Sequence, residues 1–303
     1  MGTAITLAAV SKHYRRQQGT VLALNEVSLT VPEGLVIGCV GPNGAGKTTL
    51  FKLLAGLIFP TAGRVTVLGE EPSNPAARSR LGYCTEIPLL NENLTVCEYL
   101  TYCGRLSGMG APALRQRLSE LLTALDAEDL RTKVIRTMSK GQKQRINLAQ
   151  SLLSDPDLLL LDEPFSGLDP TMQRGVRALI ADLRQRGKTV LINSHQLTQV
   201  EQVCDQVVLI AHGRVGNWID LVQEREAWVL AVFTPPPEGR WPLPEGALTQ
   251  DAGRYEYRIR RAEFGAWLTS LIAAGGTLHS AQEGGLHLED VYTEAVALKE
   301  VAR

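Results

Sequence analysis

With 303 residues, the chain exceeds one small domain and suits one large domain with an appendage. Its composition is ordinary for a globular protein, at 44% hydrophobic and 21% charged, and a net charge of −1 leaves no basic stripe to neutralise a nucleic-acid backbone. No apolar run approaches the roughly 18 residues of a membrane span and no charged-then-apolar leader opens the chain, so membrane contact is expected to go through another protein.

The first 30 residues predict an antiparallel β region: "AITLAAVSKHY", a turn at "RRQQG", then "LNEVSLTV" closing at Pro32-Glu33-Gly34. "LVIGCV" (35–40) follows as a short apolar strand, and "KTTLFKLLAG" (47–56) as a helix. Between them Gly41-Pro42-Asn43-Gly44-Ala45-Gly46-Lys47-Thr48 fits G-x-x-x-x-G-K-[ST]. The chemistry needs that spacing. Glycines let the backbone wrap an anion so that successive N–H groups point at phosphate oxygens. Lys47 adds a point charge for the terminal phosphates, and the Thr48 hydroxyl can ligate Mg²⁺.

"GRVTVLG" (63–69) looks like a hairpin of its own, and from about 85 to 150 the pattern turns helical. Leu114, Leu118, Leu121, Leu122 and Leu125 form one amphipathic stripe there. Ser139 followed by Gln142 is a capping box, with Ile146, Leu148, Ala149, Leu152 and Leu153 as buried positions of the helix it opens. Gly141 keeps that helix end free of side-chain bulk, and such an end is itself an anion site. "LLLL" (158–161) reads as a strand of a parallel sheet covered on both faces, ending in Asp162 and Glu163. A carboxylate at that point can hold Mg²⁺ through water while its neighbour polarises an attacking water. Met172, Val176, Leu179, Ile180 and Leu183 mark another helix, and "TVLIN" (189–193) another strand. Beyond a Pro- and Gly-rich stretch at 234–246 come an alternating "RYEYRIRR" and two helix-like segments, "AEFGAWLTSLIAAGG" and "LHLEDVYTEAVALKEV". No chemical constellation appears there; His279 and His287 are isolated. The five cysteines are odd in number and scattered with no C-x-x-C, so neither a disulfide framework nor a zinc site is suggested, and a reduced, cytoplasmic setting is the simple reading.

Walker A at 41–48, "MSKGQ" at 138–142, "LLLLDEP" at 158–164, "SGLDP" at 166–170 and His195 after a strand stand in the order of an ATP-binding cassette (ABC) transporter ATPase. The resemblance covers about residues 4–220, with Met138 and Lys140 where the family signature "LSGGQ" has Leu and Gly. "NENLTVCEYLTYCGRLSGM", Glu86 where many members carry Gln, and "LHLEDVYTEAV" are similar to ATPase subunits of ABC-2-type exporters. The implied fold is α/β: a P-loop NTPase core with an antiparallel β subdomain and a helical insertion over residues 1–220, plus a small α+β accessory domain over 221–303. The implied roles follow residue by residue. Tyr14 stacks on adenine, and Asn43, Gly44, Ala45, Gly46, Lys47, Thr48 and Thr49 hold the phosphates of ATP and Mg²⁺. Asp162 and Glu86 serve the metal, Glu163 acts as general base, and His195 bonds the γ-phosphate. Ser139, Gly141 and Gln142 grip ATP on a second ATPase subunit, with Asp169 lining the shared face. The resemblance thus implies a head-to-tail dimer, by expectation a homodimer, working on a separate membrane permease from the cytoplasmic side. A soluble ABC ATPase acting on ribosomes or DNA is the alternative. Members acting in translation carry two cassettes and those acting in DNA repair a long coiled coil after Walker A, whereas one Walker A and no heptad run occur here.

Overall fold

β1 (Thr3–Arg16) and β2 (Gly19–Pro32) form the antiparallel pair that the opening alternation predicts, with Tyr14 opposite Val21. Ile5, Leu7, Val10, Val27, Leu29 and Val31 turn inward. The inward pattern slips between Leu7 and Val10, where the register shifts and Ala9 takes a φ of 48°. A bulge adds one residue to a strand and so restores the buried face beyond it. A computed structural model of the chain describes residues 2–16, 19–223, 228–236, 244, 247–249, 253–283 and 288, which divide into two compact units, Met1–Trp218 and Ile219–Arg303.

The segment 63–69 does not make a separate sheet hairpin. β4 (Ala62–Val67) instead pairs antiparallel with β1, giving the sheet order β2-β1-β4, while only an isolated Val67–Glu70 bridge closes the turn after it. Its apolar residues Val65 and Val67 need a partner surface that two short arms could not supply. The close approach is visible at Gly63, whose φ is 82° and where a Cβ would lie 2.3 Å from the Ala9 carbonyl oxygen.

Six strands build the main sheet in the order β5-β6-β7-β3-β8-β9. They are β3 (Val36–Val40), β5 (Leu81–Cys84), β6 (Leu158–Asp162), β7 (Thr189–Asn193), β8 (Gln206–Ala211) and β9 (Arg214–Asp220). β5, β6, β7, β3 and β8 run parallel, and every residue of β3, β6 and β7 is buried, as continuous apolar runs require when helices cover both faces. His212 and Gly213, both at positive φ, make the two-residue turn between β8 and β9. The helices are α1 (Lys47–Leu54), the short α2 (Pro75–Arg78), α3 (Val96–Leu106), α4 (Ala111–Ala124), α5 (Lys140–Ser151), α6 (Pro170–Gln185) and α7 (Leu197–Val203). α3 to α5 fill the helical stretch, with the leucine stripe of α4 buried. α6 buries Val176, Ile180 and Leu183 and leaves Met172 and Leu179 half-buried. Among the described residues no helix is long and apolar enough to cross a membrane.

The second unit holds an antiparallel sheet ordered β11-β12-β10-β13, from β10 (Trp228–Thr234), β11 (Leu248–Thr249), β12 (Tyr255–Arg260) and β13 (Thr277–Glu283), and the helix α8 (Arg261–Ala273). Val229, Ala231 and Phe233 alternate inward on β10, and the Trp267 ring of α8 meets Phe233 edge-on at 5.2 Å. Edge-on aromatic pairs add about 0.5–1.5 kcal/mol beyond their burial. His279 Nε2 lies 2.8 Å from Thr234 Oγ1. His287 and, apart from Leu288, the last expected helix lie outside the described residues.

Candidate active site

The loop between β3 and α1 does what its glycines permit. Gly46 begins α1 at φ 106° and ψ 0°, and a Cβ there would meet the Ala23 carbonyl oxygen at 2.4 Å. α3, α5 and α6 have their first turns closed by the side chains of Thr95, Ser139 and Asp169. α1 has no such cap. Its first-turn N–H groups and positive dipole end therefore remain for an anion. They face a cavity of about 460 Å³ lined by Asn43, Gly44, Ala45, Gly46, Lys47, Thr48 and Thr49, with Tyr14, Glu86, Glu163 and His195 on its other sides. Lys47 is buried, and its Nζ donates to the carbonyl oxygens of Gly41 (2.6 Å) and Pro42 (3.0 Å). Burial holds its ammonium below the usual lysine range, opposed by Glu163 and then by Cys39, Asp162 and Glu86. Tyr14 is half-buried at the rim, with the Lys12 ammonium 5.3 Å from its ring centre.

Asp162 ends β6, Glu163 follows it, and both are almost fully buried. Successive residues of a strand point to opposite faces, but Glu163 breaks the strand at φ 52°, a left-handed conformation uncommon outside glycine. Its carboxylate meets the end of β7: Oε1 accepts from the His195 N–H at 3.0 Å, and Oε2 lies 2.8 Å from His195 Nδ1 and 3.4 Å from Ser194 Oγ. The His195 ring is 61% exposed beyond that contact. Asp162 stays within the sheet, where Asn193 Nδ2 donates to Oδ1 and Tyr83 Oη lies 3.4 Å from Oδ2. Burial pushes its carboxyl above the usual range, Asn193 pulls it back, and Glu86 and Glu163 push it up again.

Glu163, Asp162 and Glu86 all act on the buried Lys47 ammonium through their charge, an excess of negative charge that a divalent cation would offset. Among the described residues no three His, Cys, Asp or Glu side chains gather as a metal cluster. That donor set still fits Mg²⁺, which usually takes one or two protein oxygens and completes its shell with phosphate and water. Thr48 and Glu86 line the cavity; Asp162 is buried and not among its lining residues, but its partner Asn193 is.

Ser139, Gly141, Gln142 and Asp169 are not among the residues lining this cavity. Ser139 Oγ accepts from the Gln142 N–H, and Gln142 Oε1 accepts from the Ser139 N–H and from Lys133 Nζ, both at 3.1 Å. The Ser139 hydroxyl proton remains to donate outward. Asp169 Oδ1 accepts from the N–H groups of Thr171 and Met172. From the same helix as the capping box, buried Asn147 donates to the Thr85 carbonyl oxygen at 2.7 Å, one residue before Glu86. Sequence reasoning missed Tyr83, Ser194 and Asn193. A polar residue ending the apolar run "TVLI" was the signal for Asn193.

A family model described as ABC transporter matches residues 24–166. Over 197 residues, 64% of this chain, the sequence is 43% identical to an ABC transporter ATP-binding protein of Nostoc sp., and that match spans 59% of the relative's length. It is 35% identical to the daunorubicin resistance ATP-binding protein DrrA3 of Streptomyces coeruleorubidus, over 99% of this chain and 94% of that one. The solved dimeric structure of a bacterial ABC transporter cassette superposes with a TM-score of 0.68 at 25% identity, covering 72% of this chain and 98% of that chain. On this full-length similarity and on the uncapped P-loop helix facing its buried carboxylates, the chain belongs to the ABC transporter ATP-binding proteins.

Proposed function

We propose that the chain binds and hydrolyses ATP as the cytoplasmic subunit of an ABC transporter, closing with a second copy around two ATP molecules and driving a separate membrane permease. One observation carries the reading: the open end of α1 and the Glu163–His195 pair share a single cavity. Bound Mg²⁺, held by Thr48 and by Asp162 with Glu86 nearby, supplies charge neutralisation to the phosphates. Lys47 and the loop N–H groups bind and orient the β- and γ-phosphates, and Asn43, Gly44 and Thr49 complete that cradle. Glu163 takes the proton of the attacking water, and the exposed edge of His195 bonds the γ-phosphate. Tyr14 supports adenine at the rim by stacking, which in base recognition is worth about 1–3 kcal/mol.

Ser139, Gly141 and Gln142, with Asp169 beside them, serve the nucleotide of the partner copy; similarity to a dimeric cassette supports this. Mixing Ser139→Arg with Lys47→Ala chains is therefore expected to leave at most one working site per dimer. ATPase activity that scaled only with the fraction of intact chains would place the whole site inside one subunit and overturn the dimer reading.

Two surface depressions support a contact with the permease. Exposed Leu57 and Leu89 line a groove of about 380 Å³ with Leu81, Tyr83 and Thr85, and a second depression shares Leu81 and Tyr83 and adds exposed Leu106. Exposed apolar side chains gathered in one groove mark a protein contact. Glu86 stands beside Thr85 of that groove and lines the nucleotide cavity. As a carboxylate it repels phosphate when no metal intervenes, so Glu86→Gln is expected to stay active with a weaker Mg²⁺ requirement. Glu86→Ala should lose permease-stimulated hydrolysis more than basal hydrolysis. Mg²⁺ titrations of the three proteins with and without permease test this, and three superimposable curves would reduce Glu86 to surface charge. Similarity to a daunorubicin resistance protein supports export as the direction. Residues 221–303 act as an accessory domain without catalytic groups.

A further inference from the structure

Asn193 ends β7 directly opposite Asp162 of β6, and the two residues are 2% and 1% exposed. Residues 190–192 before it are wholly apolar. A buried amide in such a strand has to be explained by what it bonds. Its Nδ2 donates to Asp162 Oδ1, and its main-chain oxygen accepts the Glu163 N–H at 2.8 Å. Its own Oδ1 is buried without a hydrogen-bond partner. Packing alone would disfavour that arrangement, since an apolar side chain filling the same space would strand no oxygen. Asn193 also lines the nucleotide cavity.

We propose that Asn193 is a positioning residue for the metal carboxylate: its amide fixes the plane and rotamer of Asp162, so that one carboxylate face is presented to the cation beside the phosphates. This rests on the ATPase reading above. Tyr83, reaching Asp162 Oδ2 from β5 at 3.4 Å, is the weaker of the two supports. Asp162 lies between them on the middle of three parallel strands, held from both neighbours. With the Glu163 N–H on its main chain and the Asp162 carboxylate on its side chain, Asn193 sets the spacing between the metal-holding group and the base. Partners of metal-binding side chains act in this way generally: they orient the ligand rather than touch the metal.

The test uses the full chain, Mn²⁺ as the metal probe read by electron paramagnetic resonance, and a non-hydrolysable ATP analogue. Asn193→Leu keeps the γ-branched outline, with more bulk, and removes the donor; Asn193→Ser keeps a hydroxyl donor. In the analogue-bound protein, Asn193→Leu is expected to weaken Mn²⁺ binding about 10- to 100-fold, with Asn193→Ser recovering most of it. Analogue affinity in EDTA should match the unmodified chain in both variants, because without the cation Asp162 only repels the phosphates, and its charge is the same in all three proteins. Unchanged Mn²⁺ affinity in Asn193→Leu would overturn the proposal. So would an equal loss of metal-free binding, which would mean a collapsed cavity, or an Asn193→Ser that behaves as Asn193→Leu. Should Asn193→Leu not fold, Asn193→Ala against Asn193→Ser makes the same comparison. If the unmodified chain bound neither analogue nor Mn²⁺, the ATPase reading itself would fall; if it bound both and the variants did too, only the role of Asn193 would.

Discussion

Purified Glu163→Gln is expected to bind ATP like the unmodified chain and to hydrolyse it about 10²- to 10⁴-fold more slowly, the usual contribution of a positioned general base. The substitution keeps the shape of the side chain. A glutamine oxygen can still accept the His195 N–H that now reaches Oε1 at 3.0 Å, so the backbone turn at φ 52° retains its anchor. That turn costs about 1–3 kcal/mol wherever a non-glycine residue adopts it, which makes a preserved anchor the condition for a clean test. What disappears is basicity beside the attacking water. Binding without turnover should also hold the dimer closed, visible as an ATP-dependent shift in mass by light scattering. Near-normal turnover would remove Glu163 from the mechanism.

Lys47→Ala should fail one step earlier. Its buried ammonium feels the charge of Glu163, Asp162 and Glu86, and both carbonyl oxygens it now bonds belong to the loop proposed to wrap the phosphates. Charge-assisted hydrogen bonds of this kind are worth about 1.5–3 kcal/mol, so nucleotide affinity is expected to fall about 10- to 100-fold. The three carboxylates would also repel the phosphates with less opposition. Titration with a labelled nucleotide separates this loss from that of Glu163→Gln, and an unchanged affinity would show that the backbone alone suffices to hold ATP.

Much of this site was legible because its chemistry is local. The P-loop is eight consecutive residues whose spacing states the backbone conformation, and the Ser139–Gln142 box forms as its spacing requires. Buried runs such as "LLLL", read as a parallel strand, and "TVLIN", read as a strand, were legible for the same reason. The failures were non-local. Nothing within residues 63–69 says that their partner is a strand 60 residues earlier, because register is decided by which surface offers an apolar face. The clamp on Asp162 comes from β5 and β7, and only the strand order brings Tyr83 and Asn193 to it. The left-handed turn at Glu163 is likewise invisible in "LDEP", a string that suits several turns.

The bare first turn of α1 also bears on how firmly the chain folds. A helix whose leading N–H groups meet no side-chain oxygen is an unfinished helix, and a bound phosphate completes it from outside. Nucleotide then counts as part of the folded state, stabilising it by about 2.7 kcal/mol once its concentration reaches about 100 times Kd. Melting temperature becomes a gauge of occupancy, and a chain deprived of nucleotide is the one that unfolding and proteolysis meet first.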